Sequence, residues 1–180
     1  MSSPQSTRNT RLKNDYKEMC NIRGPIITWR AVRGTPPFVE SYHLTVNVRS
    51  IIGPGPNYRD QHLINVDIPA DYPNGPPRIV MLSQPVIFHP NWWPSDHRWC
   101  YGTWVFSETL SQHIIRMIRT LQFDPIITNE DSPANRDAEE WYVANLNRGI
   151  FPSDRQVLPD PSRPRLVAAP VMKKKFEIRH

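Results

Sequence analysis

Cysteine is scarce in this chain: 180 residues hold only Cys20 and Cys100. Two thiols cannot build the disulfide framework of a small secreted domain. Long apolar runs are missing too. No stretch approaches the roughly 18 apolar residues a membrane-spanning helix needs. Met1–Thr10 is polar and lacks the apolar core of a secretory signal. A basic stripe across the body is also absent. The formal charge is +5, but residues 1–24 carry +3 and 151–180 carry +4, which leaves 25–150 at −2. Nucleic-acid binding wants clustered Lys and Arg on a folded surface, and the run Lys173-Lys174-Lys175 reads as a solvated tail. These absences argue against membrane and nucleic-acid partners and make cytoplasm the expected compartment.

What is present suits one soluble domain: 38% hydrophobic and 22% charged residues. Residues 9–21 read as a helix, with Leu12, Tyr16, Met19 and Cys20 on one stripe. Gly24-Pro25 ends it, and Cys20 is expected to pack as a small apolar residue. Four strand signals follow: Ile26–Val32, Tyr42–Val48, Leu63–Ile68 and Arg78–Leu82. Gly53-Pro54-Gly55-Pro56-Asn57 marks a strong turn between the second and third. Short connections favour an antiparallel meander. A helix from a Ser107 cap to about Phe123 carries Leu110, Ile114, Met117, Ile118 and Leu121 on one face. Ser132-Pro133 suits the opening of a last helix running to about Leu146, with Ala138, Trp141, Tyr142 and Leu146 on its face. From Phe151 five prolines break any regular element, so the expected division is a domain over 1–150 and an extended or disordered tail over 151–180. No internal repeat is visible. The fold class is α+β.

Between the fourth strand and the next helix lies a long irregular segment, Ser83–Phe106, with Trp92, Trp93, Trp99 and Trp104. Structureless stretches of this length are usually functional. The tryptophans can hold it rigid by burying large area or can form a binding surface, with packing the favoured reading. Cys100 sits in it, after His89-Pro90-Asn91 and Asp96-His97. A thiol on such a loop is a candidate nucleophile; the competing reading is simple packing. A zinc site from Asp96, His97, Cys100 and His89 is a further alternative, but structural zinc usually takes two ligand pairs and no second pair follows. A papain-like hydrolase is disfavoured because His43, His62, His113 and His180 are scattered.

Four ordered motifs narrow the choice: Tyr72-Pro73-Asn74-Gly75-Pro76-Pro77, then His89-Pro90-Asn91, then Cys100 nine positions on, then Ser132-Pro133-Ala134-Asn135. With the first helix, this arrangement over roughly residues 8–147 resembles the ubiquitin-conjugating enzymes. The resemblance implies that fold: an N-terminal helix, a four-stranded antiparallel meander, a long active-site loop and two C-terminal helices. It implies that Cys100 receives ubiquitin or a ubiquitin-like protein from an E1-type activating enzyme, holds it as a thioester and passes it to a lysine of a target. Thiolate attack and aminolysis need no cofactor or metal. Asn91 would donate to the oxyanion or shape the loop. His89, with Pro90, would be structural, pinning the loop through a backbone hydrogen bond. Ser132 would stand near the incoming amine. Arg8, Arg11, Lys13 and Lys17 would face the activating enzyme.

The departures matter as well. The family's Trp-Ser-Pro stretch is shortened to Tyr101–Glu108, and Asn74 replaces an aromatic that docks RING-type ligases. Both changes leave a standard RING partner without its usual surface. The loop Ile126–Asp131 is longer than the common form, and the proline-rich tail stands in for the final helix. The pattern is similar to stand-alone conjugating-type proteins of bacterial operons, some tied to antiviral defence. A catalytically inactive binding module of the same fold is the alternative.

Overall fold

The computed structural model describes residues 4–128, 130–153 and 156–163. Helix α1 (Pro4–Ile22) is followed by strands β1 (Ile27–Thr35), β2 (Phe38–Val46), β3 (Ser50–Gly53), β4 (Asn57–Arg59), β5 (His62–Asp67) and β6 (Arg78–Met81). Helices α2 (Leu110–Leu121) and α3 (Arg136–Asn145) close the order, and a 3-10 turn follows at Leu146–Arg148. No helix among the described residues is long and apolar enough to cross a membrane.

Four strands form one antiparallel sheet in the order β1-β2-β5-β6. That is the expected meander with one addition. The Gly53–Asn57 turn does not simply link β2 to β5: it closes a separate hairpin of β3 and β4. The strand pieces are too short to show a period of two, and the turn signal masks them.

Alternation along β2 and β5 sends Tyr42, Leu44, Val46, Ile64 and Val66 to one face of the sheet. α1 packs on β2 and on α2, and the buried face of α2 joins the same core as the sheet. On α2 the whole expected stripe, Leu110, Ile114, Met117, Ile118 and Leu121, is buried. On α1 the stripe is rotated: Leu12, Asp15, Met19 and Ile22 are buried, Tyr16 is half-buried against Trp29, and Cys20 is exposed. Cys20 therefore does not pack as expected. A charged residue takes the inner position because it has partners there. Asp15 accepts from the Tyr72 hydroxyl at 2.5 Å, from the Leu110 backbone N–H at 3.0 Å and from Arg11 at 3.1 Å. One carboxylate thus joins α1, the Tyr72-Pro73 loop and the first turn of α2. Burial raises its pKa, and these bonds oppose the rise.

Both expected helix caps move. Thr109, not Ser107, caps α2: its side chain accepts from the Gln112 N–H, and the Gln112 side chain accepts from the Thr109 N–H. This is the reciprocal capping box Thr-x-x-Gln. Asn135, not Ser132, caps α3, with its side-chain oxygen 3.1 Å from the Ala138 N–H.

A second small core lies under the β3 hairpin, where Ile51, Phe123 and Tyr142 meet Trp141 and Phe151. Phe123 adopts φ 55 just past α2, a left-handed stop that turns its ring beneath His89, 4.3 Å away. Residues 151–153 and 156–163 hold no regular element. Phe151 nevertheless packs on Phe123, Tyr142 and Trp141, and Leu158 packs on the main core. The Gln122 amide donates to the Gln156 carbonyl at 3.1 Å. The run Lys173-Lys174-Lys175 and His180 lie outside the described residues.

Candidate active site

Cys100 ends a tight turn laid along the outer edge of β6. Residues 92 to 99 double back on themselves, with Trp92 opposite Trp99 and Arg98 opposite Val80. The Met81 N–H donates to His97 O at 2.9 Å and the Trp99 N–H to Ile79 O at 3.0 Å. The turn thereby caps the open edge of the sheet and delivers Cys100 at its exit, half-buried.

Asn91 grips Cys100 from both sides. The Cys100 N–H donates to Asn91 O at 2.7 Å, and the Asn91 amide donates to Cys100 O at 3.3 Å. The Asn91 N–H in turn donates to His89 Nδ1 at 2.9 Å. His89 is fully buried, and burial pushes its pKa down to about 3. It is a neutral acceptor at physiological pH, not an acid or a base. Pro90, also buried, offers its carbonyl to the Ala134 N–H at 2.7 Å and the Asn135 N–H at 3.1 Å. Two backbone bonds therefore hook the entry of α3 onto the loop that carries Asn91. Ser132 lies exposed on that entry segment, three residues before the cap.

Three of the four tryptophans hold the segment together. Trp92 and Trp99 are buried, and Trp104 donates its indole N–H to Pro73 O at 2.9 Å and tilts over Tyr72. Trp93 faces out and is 40% exposed. Between Cys100 and α2 the segment is braced by Glu108, His113 and Arg116. The Arg116 guanidinium donates to both Glu108 carboxylate oxygens at 2.8 Å. His113 Nδ1 lies 3.4 Å from the same carboxylate, and its ring is surrounded by Trp99, Tyr101 and Trp104. Burial would raise the Glu108 pKa, but the hydrogen bonds and charges of His113 and Arg116 prevail and hold it at about 2. This triad lies outside every sequence motif. Its one readable signal is the i, i+3 pair His113 and Arg116 on α2.

Arg8 and Arg11 are largely covered and ion-paired. Arg8 pairs with Glu40 at 2.7 Å and donates to Pro69 O. Arg11 pairs with buried Asp15 and donates to Phe106 O and Glu108 O. Each has to neutralise a carboxylate where α1 meets the body, so both are committed to the fold. Lys13 and Lys17 are exposed. Val105 and Phe106 are more than half exposed, and Phe106 stands beside Pro73 and α1, where a shallow groove is lined by Thr10, Arg11, Asn14, Pro73 and Phe106.

Among the described residues the histidines give the other chemistries no geometry. Asp96 is paired with Arg98 and His97 Nδ1 with Gln84, while His89 points inward. No group of three His, Cys, Asp or Glu side chains suited to a metal ion occurs among the described residues. His43 meets Arg30, and buried His62 bonds Val48 O.

No protein-family profile and no curated protein matches the chain. A solved structure, described as a "Novel Ubiquitin-Conjugating Enzyme", does. It aligns over 79% of this chain and 90% of its own length, with a TM-score of 0.51 and 19% identity. The chain has a ubiquitin-conjugating-like fold. At that identity the likeness speaks for architecture alone, and the chemistry has to come from the residues around Cys100.

Proposed function

We propose that this protein carries ubiquitin or a ubiquitin-like protein as a thioester on Cys100 and transfers it to a lysine of a target. The observation that carries the reading is the two-sided bond between Asn91 and Cys100, itself seated on buried His89. It ties the Asn91 amide to the backbone of a half-buried cysteine in a fold of the conjugating type. In the first step the Cys100 thiolate attacks the activated C-terminal acyl group of the modifier, and the activating enzyme's group leaves. In the second, a lysine amine attacks the thioester carbonyl. Negative charge develops on the carbonyl oxygen, the C–S bond breaks, and the amine proton passes to solvent. A thiolate is the better leaving group, so the amide is the favoured product. An amide donor near that oxygen stabilises the charge.

The modifier would reach Cys100 from an E1-type activating enzyme. Exposed Lys13 and Lys17 on α1, with Phe106 against the same helix, would form the face offered to it. Ser132 would border the amine's approach. Asn74 and the short Tyr101–Glu108 segment support the stand-alone bacterial type, working without a standard RING ligase.

The test is charging. The full chain is incubated with its genomic-neighbour activating enzyme, modifier and ATP, then run on a non-reducing gel. A thiol-sensitive adduct absent from Cys100→Ala supports the reading. A verified cognate set that binds the chain without forming any adduct leaves the binding module as the correct description.

A further inference from the structure

The backbone just past Cys100 contains a weak point. Gly102 has φ 72, a conformation that favours glycine, and a Cβ there would meet nothing within 4 Å. The residue is exposed and the surrounding segment has no regular structure. An unbraced hinge two residues from the thiol would let Cys100 drift relative to Asn91.

Arg116 spans that hinge. Its guanidinium donates to Tyr101 O on one side of Gly102 and to Thr103 O, at 3.3 Å, on the other. The same group lies over the Trp99 ring, 5.2 Å from its centre, immediately before Cys100. Its fork to Glu108 fixes the guanidinium plane. Residues 99, 101 and 103 are therefore all referred to one side chain on a rigid helix. A lysine presents a point charge and cannot reach both carbonyls, the carboxylate and the ring together. We propose that Arg116 is a positioning residue for Cys100: by spanning Gly102 it holds the thioester carbonyl in register with the Asn91 amide for attack by the amine. This rests on Cys100 being the acyl carrier, but it concerns a residue outside the motifs of that reading. A general misplacement of about 1 Å near the reacting atoms costs about 100-fold in rate.

The test needs no partner protein. In a Cys20→Ser background, which removes the other thiol, Cys100 is acetylated with S-phenyl thioacetate. Its thiolate takes the acetyl group and thiophenolate leaves. Free lysine then attacks the acetyl carbonyl, giving the amide, the Cys100 thiolate and a proton to solvent. Intact mass follows both steps, and iodoacetamide alkylation reports access to the thiol alone. For Arg116→Gln and Arg116→Ala, aminolysis is expected to slow about tenfold while alkylation does not slow; for Arg116→Lys it slows about threefold. Melting curves identify variants that fail to fold, in which case Arg116→Lys carries the test. Aminolysis within twofold of the parent in a folded Arg116→Lys or Arg116→Gln protein overturns the inference. So does a parent rate no faster than free S-acetyl-N-acetylcysteine, or a parallel loss of alkylation and aminolysis. Charging with the modifier is scored separately on the gel, so a failed Arg116 effect and a failed carrier role give different results.

Discussion

Acid should unfold this protein through two histidines that it keeps neutral. His62 and His89 are both fully buried, and burial lowers them from 6.5 to about 4 and about 3. The unfolded chain binds a proton at each near pH 6.5, and the folded chain does not. Stability is therefore complete above pH 6.5 and is lost as pH falls below it. Between pH 7.5 and pH 5 each group costs about 2 kcal/mol, or about 4 kcal/mol together. His113, lowered by burial, adds to the loss. Two carboxyls keep the useful window above pH 5. Asp15, raised by burial, works with the opposite sign nearer its own range, and Glu108, at about 2, loses its contribution only below about 4.5. Single domains have roughly 5–15 kcal/mol in total, so the loss is a large fraction.

The assay is urea denaturation of the full chain at pH 7.5, 6.5, 5.5 and 5.0, followed by tryptophan fluorescence. His62→Gln and His89→Gln should each flatten the profile by about 2 kcal/mol, whatever they cost at pH 7.5. A wild-type loss below about 1 kcal/mol, or unchanged profiles in both variants, would refute the assignment of these rings as buried neutral acceptors.

Asp15→Asn leaves Arg11 without its countercharge and should cost about 3 kcal/mol in the same denaturation assay, as removal of one partner from a buried pair does. Asn135→Ala should lower stability by about 1 kcal/mol and Ser132→Ala by less, since only Asn135 caps α3. Lys13→Glu with Lys17→Glu should slow charging and leave the melting temperature unchanged, whereas Arg11→Glu should lower it by breaking the bonds to Asp15 and the 106–108 backbone. Asn91→Ala should allow charging and slow discharge to lysine about tenfold or more, as loss of an oxyanion donor does; equal slowing of both steps would assign Asn91 to folding alone.

Much of this arrangement is legible in the chain because periodicity and turns are local signals. The α2 stripe and the order of the four strands of the main sheet follow directly from them. The misplaced features depend on contacts distant in sequence. Asp15 enters the core because Tyr72 and Leu110 satisfy it, 57 and 95 residues away. Ser132 reads as a cap by composition, but backbone bonds from Ala134 and Asn135 to Pro90 set where α3 can start. Arg8 and Arg11 look like a basic surface until Glu40 and Asp15 are seen beneath them. Thr109-x-x-Gln112 is a legible capping box, and only the nearby Ser107 competes with it as the start of α2.

The proposed carrier role would account for the bracing around Cys100, where a silent binding module would not. A module that only recognises a modifier needs a surface, and a loose loop beyond residue 100 would serve. Here the shortened segment is instead tied down at every turn. Trp104 bonds Pro73, Arg116 holds the backbone on both sides of Gly102, and half-buried Glu108 fixes Arg116. Upstream, His89 spends its ring nitrogen on the N–H of Asn91, and Asn91 spends its amide on Cys100. Keeping His89 neutral makes the protein acid-sensitive, and a desolvated arginine-carboxylate fork is of little net benefit to stability. Both are understandable if what they secure is the position of one sulfur. The short segment between Cys100 and α2 is thus braced by Trp104, Arg116 and Glu108, and it leaves Val105 and Phe106 exposed.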